Sequence, residues 1–182
     1  LEICPSRIYT NFSEMAHGEA QRSDGVEAVS IVTPNHLHAE AAIAFLEVGI
    51  HVICDKPLAV SSKEASWIKA AVEASKARFF LTHNYTGYPL IREARHRVMA
   101  GQLGEIRLIQ AEYAQDWLAD PLEESGQKQA SWRTDPKLTG GGGAIGDIGT
   151  HVYNLAHFVS GLRASELAAD LSSFVSGREV DD

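Results

Sequence analysis

The sequence predicts an α/β protein: a doubly wound parallel sheet, followed by part of an α+β domain with an open, mainly antiparallel sheet. Three observations carry this reading. From Glu27 to Thr82, short apolar segments alternate with helix-patterned ones in the order strand, helix, strand, helix, strand. After His83 the rhythm changes to longer amphipathic and alternating stretches. A run of four glycines, Gly140 to Gly143, then leads into Ala144-Ile145-Gly146-Asp147-Ile148-Gly149-Thr150-His151. The domains are accordingly expected at residues 1–83 and 84–182.

Glu27 to Thr33 is short, apolar and β-rich, as expected of a strand covered on both faces. Thr33-Pro34-Asn35 breaks it. His36 to Val48 carries Ala, Leu, Ile and Phe at helical spacing, and Gly49 closes that helix. Ile50 to Cys54 is the next strand, Asp55-Lys56-Pro57 a turn, and a helix follows from about Ser62 to Ser75 with Ser61 or Ser62 as its cap. Arg78 to Thr82 is the third strand. Pro89 to Ala100 predicts a helix with proline in its first turn. Glu105 to Tyr113 and Glu166 to Val175 alternate like strands of an open sheet. Trp117 to Lys137 reads as a long irregular loop, and such loops are often functional. Asp147 to Ser160 is a helix closed by Gly161.

The chain has 182 residues, 45% of them hydrophobic, and a formal net charge of −8. That suffices for one sizeable core and part of a second domain. The acidic balance argues against binding nucleic acid or an anionic membrane, both of which need clustered Lys and Arg. Cys4 and Cys54 form no disulfide framework and read as reduced thiols. No run approaches the roughly 20 apolar residues of a spanning helix, and no signal-peptide pattern opens the chain. A soluble, cytoplasmic protein is expected. The chain has no initiator Met, and it stops just after a strand-like stretch, which reads as a piece of a longer protein.

In doubly wound sheets, ligands sit at the carboxyl ends of the strands. Thr33-Pro34-Asn35, Asp55-Lys56-Pro57 and His83-Asn84-Tyr85 all fall there. Thr33 and Asn35 offer a hydroxyl and an amide at a helix start, with a plain capping role for Asn35 as the alternative. Lys56 follows a buried strand and can donate to a carbonyl or act as an acid, or else pair with Asp55 at the surface. His36 and His38 have a metal-ligand spacing, yet two residues apart on a helix they point in different directions, so no metal is expected. Asp147 and His151, four apart, share a helix face and can move a proton near neutral pH, with a helix cap for Asp147 and a core histidine for His151 as the alternative. The glycines before them reduce bulk where a flat ligand could approach. Trp132-Arg133 adds a stacking face and a charged fork in the long loop. Arg92, Arg95 and Arg97 read as a solvated helix face.

Taken in order, Ser30 to His38, Gly49 to Leu58, Asn84-Tyr85 and Gly141 to His151 resemble the Gfo/Idh/MocA family of glucose–fructose oxidoreductase, inositol dehydrogenase and their relatives. The resemblance implies an NAD(P)-binding Rossmann domain, then a domain whose open sheet joins copies into a dimer or tetramer. It implies that Thr33, Pro34 and Asn35 border the dinucleotide with His38 packed behind, and that Asp55, Lys56, Pro57 and Asn84 complete the cofactor side. It implies Lys56, Asp147 and His151 as catalytic residues, with Tyr85, Trp132 and Arg133 joining them at a sugar or polyol substrate. The family's Glu-Lys-Pro is Asp55-Lys56-Pro57 here, and its Gly-rich phosphate turn is expected before Leu1. Two other readings compete: a non-catalytic cofactor-binding or assembly module of the same fold, and a metal hydrolase built on His36, His38, Asp147 and His151.

Overall fold

The computed structural model describes residues 4–182, which divide into two compact units between Thr82 and His83. In the first unit, β1 (Ala28–Ile31), β2 (His51–Asp55) and β3 (Phe79–Thr82) form a parallel sheet in that spatial order. Ser30 lies opposite Ile53, and Ile53 opposite Phe80. Consecutive parallel strands need crossovers, which α2 (His38–Glu47) and α3 (Ser62–Ala74) supply. β1 and β3 are shorter than the apolar runs that announce them, and β2 is shifted by one residue. An additional helix, α1 (Phe12–Ala20), is capped by Asn11, whose side chain accepts the Ser13 and Glu14 N–H groups. At the start of α3, Ser61 accepts the Glu64 N–H while the Glu64 carboxylate accepts that of Val60.

The core of this unit lies between α2 and one face of the sheet. Ala41, Ala42, Phe45 and Leu46 of α2 meet Ile31, Val52 and Cys54 of the strands, all buried. Burying Phe45 and Leu46 contributes roughly 1.5–3 kcal/mol each. Along β2 burial alternates, and on the opposite face Ile53 and Phe80 are 39% and 53% exposed. The strands were expected to be covered on both faces; α1 and α3 pack on α2 instead, so among the described residues helices cover one. Glu19 anchors the segment before β1: its buried carboxylate binds Arg7, the Tyr9 hydroxyl and the Val26 N–H. The Arg7 guanidinium holds that carboxyl below the usual range.

In the second unit, α4 (Pro89–Met99) packs against α7 (Thr150–Ser160). Arg95 belongs to this contact rather than to a solvated face, because its guanidinium bonds the Phe158 carbonyl and lies 4.8 Å from the Phe158 ring. The long loop is less irregular than expected. It contains a 3-10 turn at Leu122–Ser125 and the short helices α5 (Lys128–Arg133) and α6 (Pro136–Thr139), started by the side chains of Gln127 and Asp135. The open antiparallel sheet does not form among the described residues. Residues 105–113 and 166–175 carry no ladder partner, and a strand exists only through its partner's hydrogen bonds. Among the described residues no helix is long and apolar enough to cross a membrane.

The two thiols differ sharply in environment. Cys54 is fully buried, and burial, then the Asp55 charge, pushes its thiol up to about 12. Cys4 is exposed and its contact with Ser6 lowers it. A thiol-exchange reagent at mildly alkaline pH is expected to label Cys4 in the native protein and Cys54 only in denaturant, because the thiolate is the reactive form. Native labelling of both would contradict this packing.

Candidate active site

In the first unit, two loops at the same sheet edge carry the candidate residues. After β1, Thr33-Pro34 leads into a 3-10 turn at Asn35–Leu37 and then α2. Asn35 is buried at the start of that turn, so it does not cap α2, whose N-cap position is Leu37. His38 opens α2 with no exposure at all. Its Nε2 lies 2.9 Å from the Thr33 carbonyl and its Nδ1 2.8 Å from the Pro57 carbonyl. Both ring nitrogens thus face backbone carbonyls, one in the β1 loop and one in the β2 loop, and whichever nitrogen carries the hydrogen donates. Among the described residues no three His, Cys, Asp or Glu side chains are grouped to hold an ion. Asp55 accepts the Thr82 hydroxyl at 2.7 Å, fixing the end of β2 to the end of β3. Lys56 is half-buried, and its bond to Pro57 is cis.

The second unit carries Asp147 and His151. Gly140 has φ +97°, a left-handed value suited to glycine. Gly143 is buried, and a Cβ there would stand 2.1 Å from the Asp181 carbonyl oxygen and 2.8 Å from Val180 Cγ2. Gly142 and Gly149 both face the Ile145 side chain, with a Cβ at 2.6 Å and 2.5 Å. The glycine run therefore serves the chain's own packing, which corrects its reading as bare surface for a ligand. Only Gly141 of Gly141, Gly142 and Gly143 has open space around it. The spacing Gly141-x-Gly143-x-x-Gly146 also matches a phosphate-binding pattern. Here no strand precedes it, and Asp181 takes the N–H groups of Gly143, Ala144 and Ile145.

Asp147 lies within a wide π turn, Ile145–Gly149, that runs into α7. A plain α-helix from Asp147 was expected. Its N–H bonds the Gly143 carbonyl at 2.9 Å, so Asp147 is inside the coil rather than its cap. Such wide turns recur at functional sites. One turn on, His151 is 5% exposed. Its ring is 4.5 Å from the Tyr85 ring and meets His83 edge-on at 5.8 Å. Tyr85 stacks on Tyr113 with the hydroxyls 3.1 Å apart, and that bond, together with burial, pushes the Tyr85 phenol up to about 12. Tyr85 is thus a hydrogen-bonding and stacking group at neutral pH, not a base. Asn84 is exposed on the adjoining 3-10 turn.

Asp147 also lines a small pocket of about 50 Å³ with Gln115, Trp117, Arg133, Thr134 and Arg178. Arg133 is 3.7 Å from the Asp147 carboxylate, with Trp132 and Trp117 rings at 4.2 Å and 5.7 Å. Burial draws the guanidinium below its usual range while Asp147 opposes that. The structure therefore brings together Asp147 and Arg133 at one pocket, with Trp132 stacked on Arg133, and His151 with Tyr85. Sequence reasoning missed Trp117, Tyr113, Arg178 and Asp181. The paired aspartates at the end carry no pattern, and their role needs the fold.

Residues 91–182 match the Gfo/Idh/MocA C-terminal domain, and residues 4–83 match an oxidoreductase-family NAD-binding Rossmann fold. The chain belongs to the Gfo/Idh/MocA oxidoreductase family. It is 39% identical over 155 residues to the levoglucosan dehydrogenase of Pseudarthrobacter phenanthrenivorans, covering 85% of this chain and 38% of that one. An oxidoreductase crystal structure from Sinorhizobium meliloti superposes with a TM-score of 0.84 at 51% identity, over 99% of this chain and 45% of the other. An inositol dehydrogenase homologue from Azotobacter vinelandii, solved with NADH and myo-inositol, gives a TM-score of 0.76 at 34% identity, over 86% and 38%. The family member described here thus spans less than half the length of the relatives it matches.

The loop residues of the first unit can be tested against a nicotinamide dinucleotide. Thr33 hydroxyl, Asn35 amide and Lys56 ammonium form a donor set suited to a carboxamide and ribose hydroxyls. No glycine-rich strand-to-helix turn occurs among this unit's described residues, so they fit the nicotinamide–ribose end and offer nothing for the pyrophosphate.

Gly143→Ala is expected to destabilise the second unit by about 1–3 kcal/mol, the usual range for forced overpacking. Gly141→Ala, with open space around it, is expected to stay within about 0.5 kcal/mol. Urea denaturation of both variants checks this, and equal midpoints would refute the packing account.

Proposed function

We propose that the protein is an NAD(P)-dependent dehydrogenase that moves a hydride between the nicotinamide and a secondary alcohol of a sugar, inositol or related polyol. The observation that carries the reading is the pairing on one coil of Asp147, lining a pocket, with a buried His151 held by aromatic rings. The family assignment and the named activities of the relatives support it. Such a reaction removes one proton from the hydroxyl while the hydride leaves, and the bound nicotinamide supplies the redox chemistry.

In this reading the His151 imidazole takes the hydroxyl proton. Asp147 orients it or shares the proton, and Arg133 pairs with the Asp147 carboxylate and holds it in place. The Lys56 ammonium stabilises alkoxide charge as it develops. Thr33, Pro34, Asn35, Asp55, Pro57 and Asn84 serve the cofactor, with His38 as the support that fixes the two loops. Tyr85 and Trp132 offer apolar faces to the C–H side of a sugar ring. The protein works in the cytoplasm, and residues 105–113 and 166–175 become strands of a second-domain sheet that joins copies into a homo-oligomer.

The test is nicotinamide reduction by the full-length protein with a panel of sugars, inositols and polyols, using NAD⁺ and NADP⁺. Lys56→Met and His151→Ala are each expected to lower kcat by about 10²–10⁴-fold, with nucleotide binding retained by calorimetry. Nucleotide binding without turnover on any substrate would leave a binding module instead. Failure of both would remove the dehydrogenase reading.

A further inference from the structure

We propose that Asp181 is a positioning residue for Asp147 and His151, a carboxylate that fixes the glycine run in the shape that presents both side chains; the inference rests on the dehydrogenase reading above. Its two carboxylate oxygens accept the Gly143 and Ile145 N–H groups, each at 2.6 Å. Its own carbonyl accepts the Ala144 N–H between them at 3.0 Å. Three successive donors at the opening of a helical segment are thus satisfied by one residue from the far end of the unit. These are the groups a helix start leaves without partners, and they favour an anion.

The clamp is transmitted directly. Gly143, whose N–H is held, gives its carbonyl to the Asp147 N–H at 2.9 Å, and His151 follows one turn later. A glycine run has the widest backbone freedom of any sequence, so its shape has to be imposed from outside. Gly143 is what lets the clamp close, since any Cβ would collide with the Asp181 carbonyl. The strap that carries Asp181 is itself anchored on both sides. The Arg178 side chain, 1% exposed, bonds Glu123 twice, at 2.8 Å and 2.9 Å, and also the Leu118 carbonyl. Asp182 accepts the Phe174 and Val175 N–H groups at 2.6 Å and 3.0 Å. Both Asp181 oxygens face backbone donors, so the residue acts on the reaction through the coil it holds.

The experiment compares wild type with Asp181→Ala, Asp181→Asn and Gly143→Ala in the full-length protein. Asp181→Ala is expected to lower kcat by about 10–100-fold, the size of effect that a small misplacement of reacting groups produces, with the nucleotide Kd unchanged. Asp181→Asn, with one acceptor for two donors, is expected to fall between. Formate should restore kcat to Asp181→Ala by refilling the vacated nest, but not to Gly143→Ala, where the methyl group blocks closure. Amide hydrogen exchange of Gly143, Ala144 and Ile145, and the ring signals of His151, read the same clamp without any turnover. Protection lost in Asp181→Ala and regained with formate, together with a His151 shift that follows it, supports the proposal even if no substrate turns over. In that case only the dehydrogenase reading has failed. Fast exchange of these amides in wild type would overturn the clamp. A normal kcat in Asp181→Ala despite deprotected amides would overturn the positioning role.

Discussion

A loop that carries reactive side chains leaves the ladder of a sheet or helix, and its backbone N–H and C=O groups lose their regular partners. Inside a protein those groups must still be satisfied, and this constraint shapes both units. In the first unit the imidazole of His38 lies within hydrogen-bond distance of two carbonyls, one from each strand-end loop. In the second, Asp181 answers three N–H groups at the opening of the π turn. One device supplies donors to acceptors and the other acceptors to donors. Each is a side chain remote in sequence from at least part of what it holds.

The electrostatics follow the same economy. Arg133 stands between Asp147 and two indole faces, so the only carboxylate on the pocket-lining π turn is already paired with a cation. Arg178 is neutralised by Glu123 and Asp182 in turn. Both guanidinium groups that line this pocket are thus already paired with carboxylates.

Much of the first unit was legible because its signals are local. Strand and helix periods, the Ser61 cap and the turn at Gly49 each depend on neighbours in sequence, and they recovered the strand–helix alternation within a residue or two. What was not legible depended on distance. Whether β2 is covered on both faces is decided by where α1 and α3 pack, not by the apolarity of Val52 or Ile53. The alternation in Glu105 to Tyr113 is a strand's pattern without the partner that makes a strand. The glycine run looked like space for a ligand, and its reason lay nearly forty residues away in Val180 and Asp181. The Asp147/His151 spacing was readable, whereas the π turn that carries Asp147 was not, because a widened coil leaves no compositional mark beyond its glycines.

The arrangement around Arg133 has one more consequence, for optical spectroscopy. The chain has three tryptophans. Trp67 lies on α3, half-exposed beneath Lys63. The other two, Trp117 and Trp132, flank a guanidinium at the pocket, where a nearby charge shifts and quenches indole emission. Anything that enters beside Arg133 or moves it alters the field at both rings together. Replacing Trp67 by Phe would leave in this chain only the two indoles beside Arg133, whose emission, excited apart from tyrosine, needs neither label nor coupled reaction.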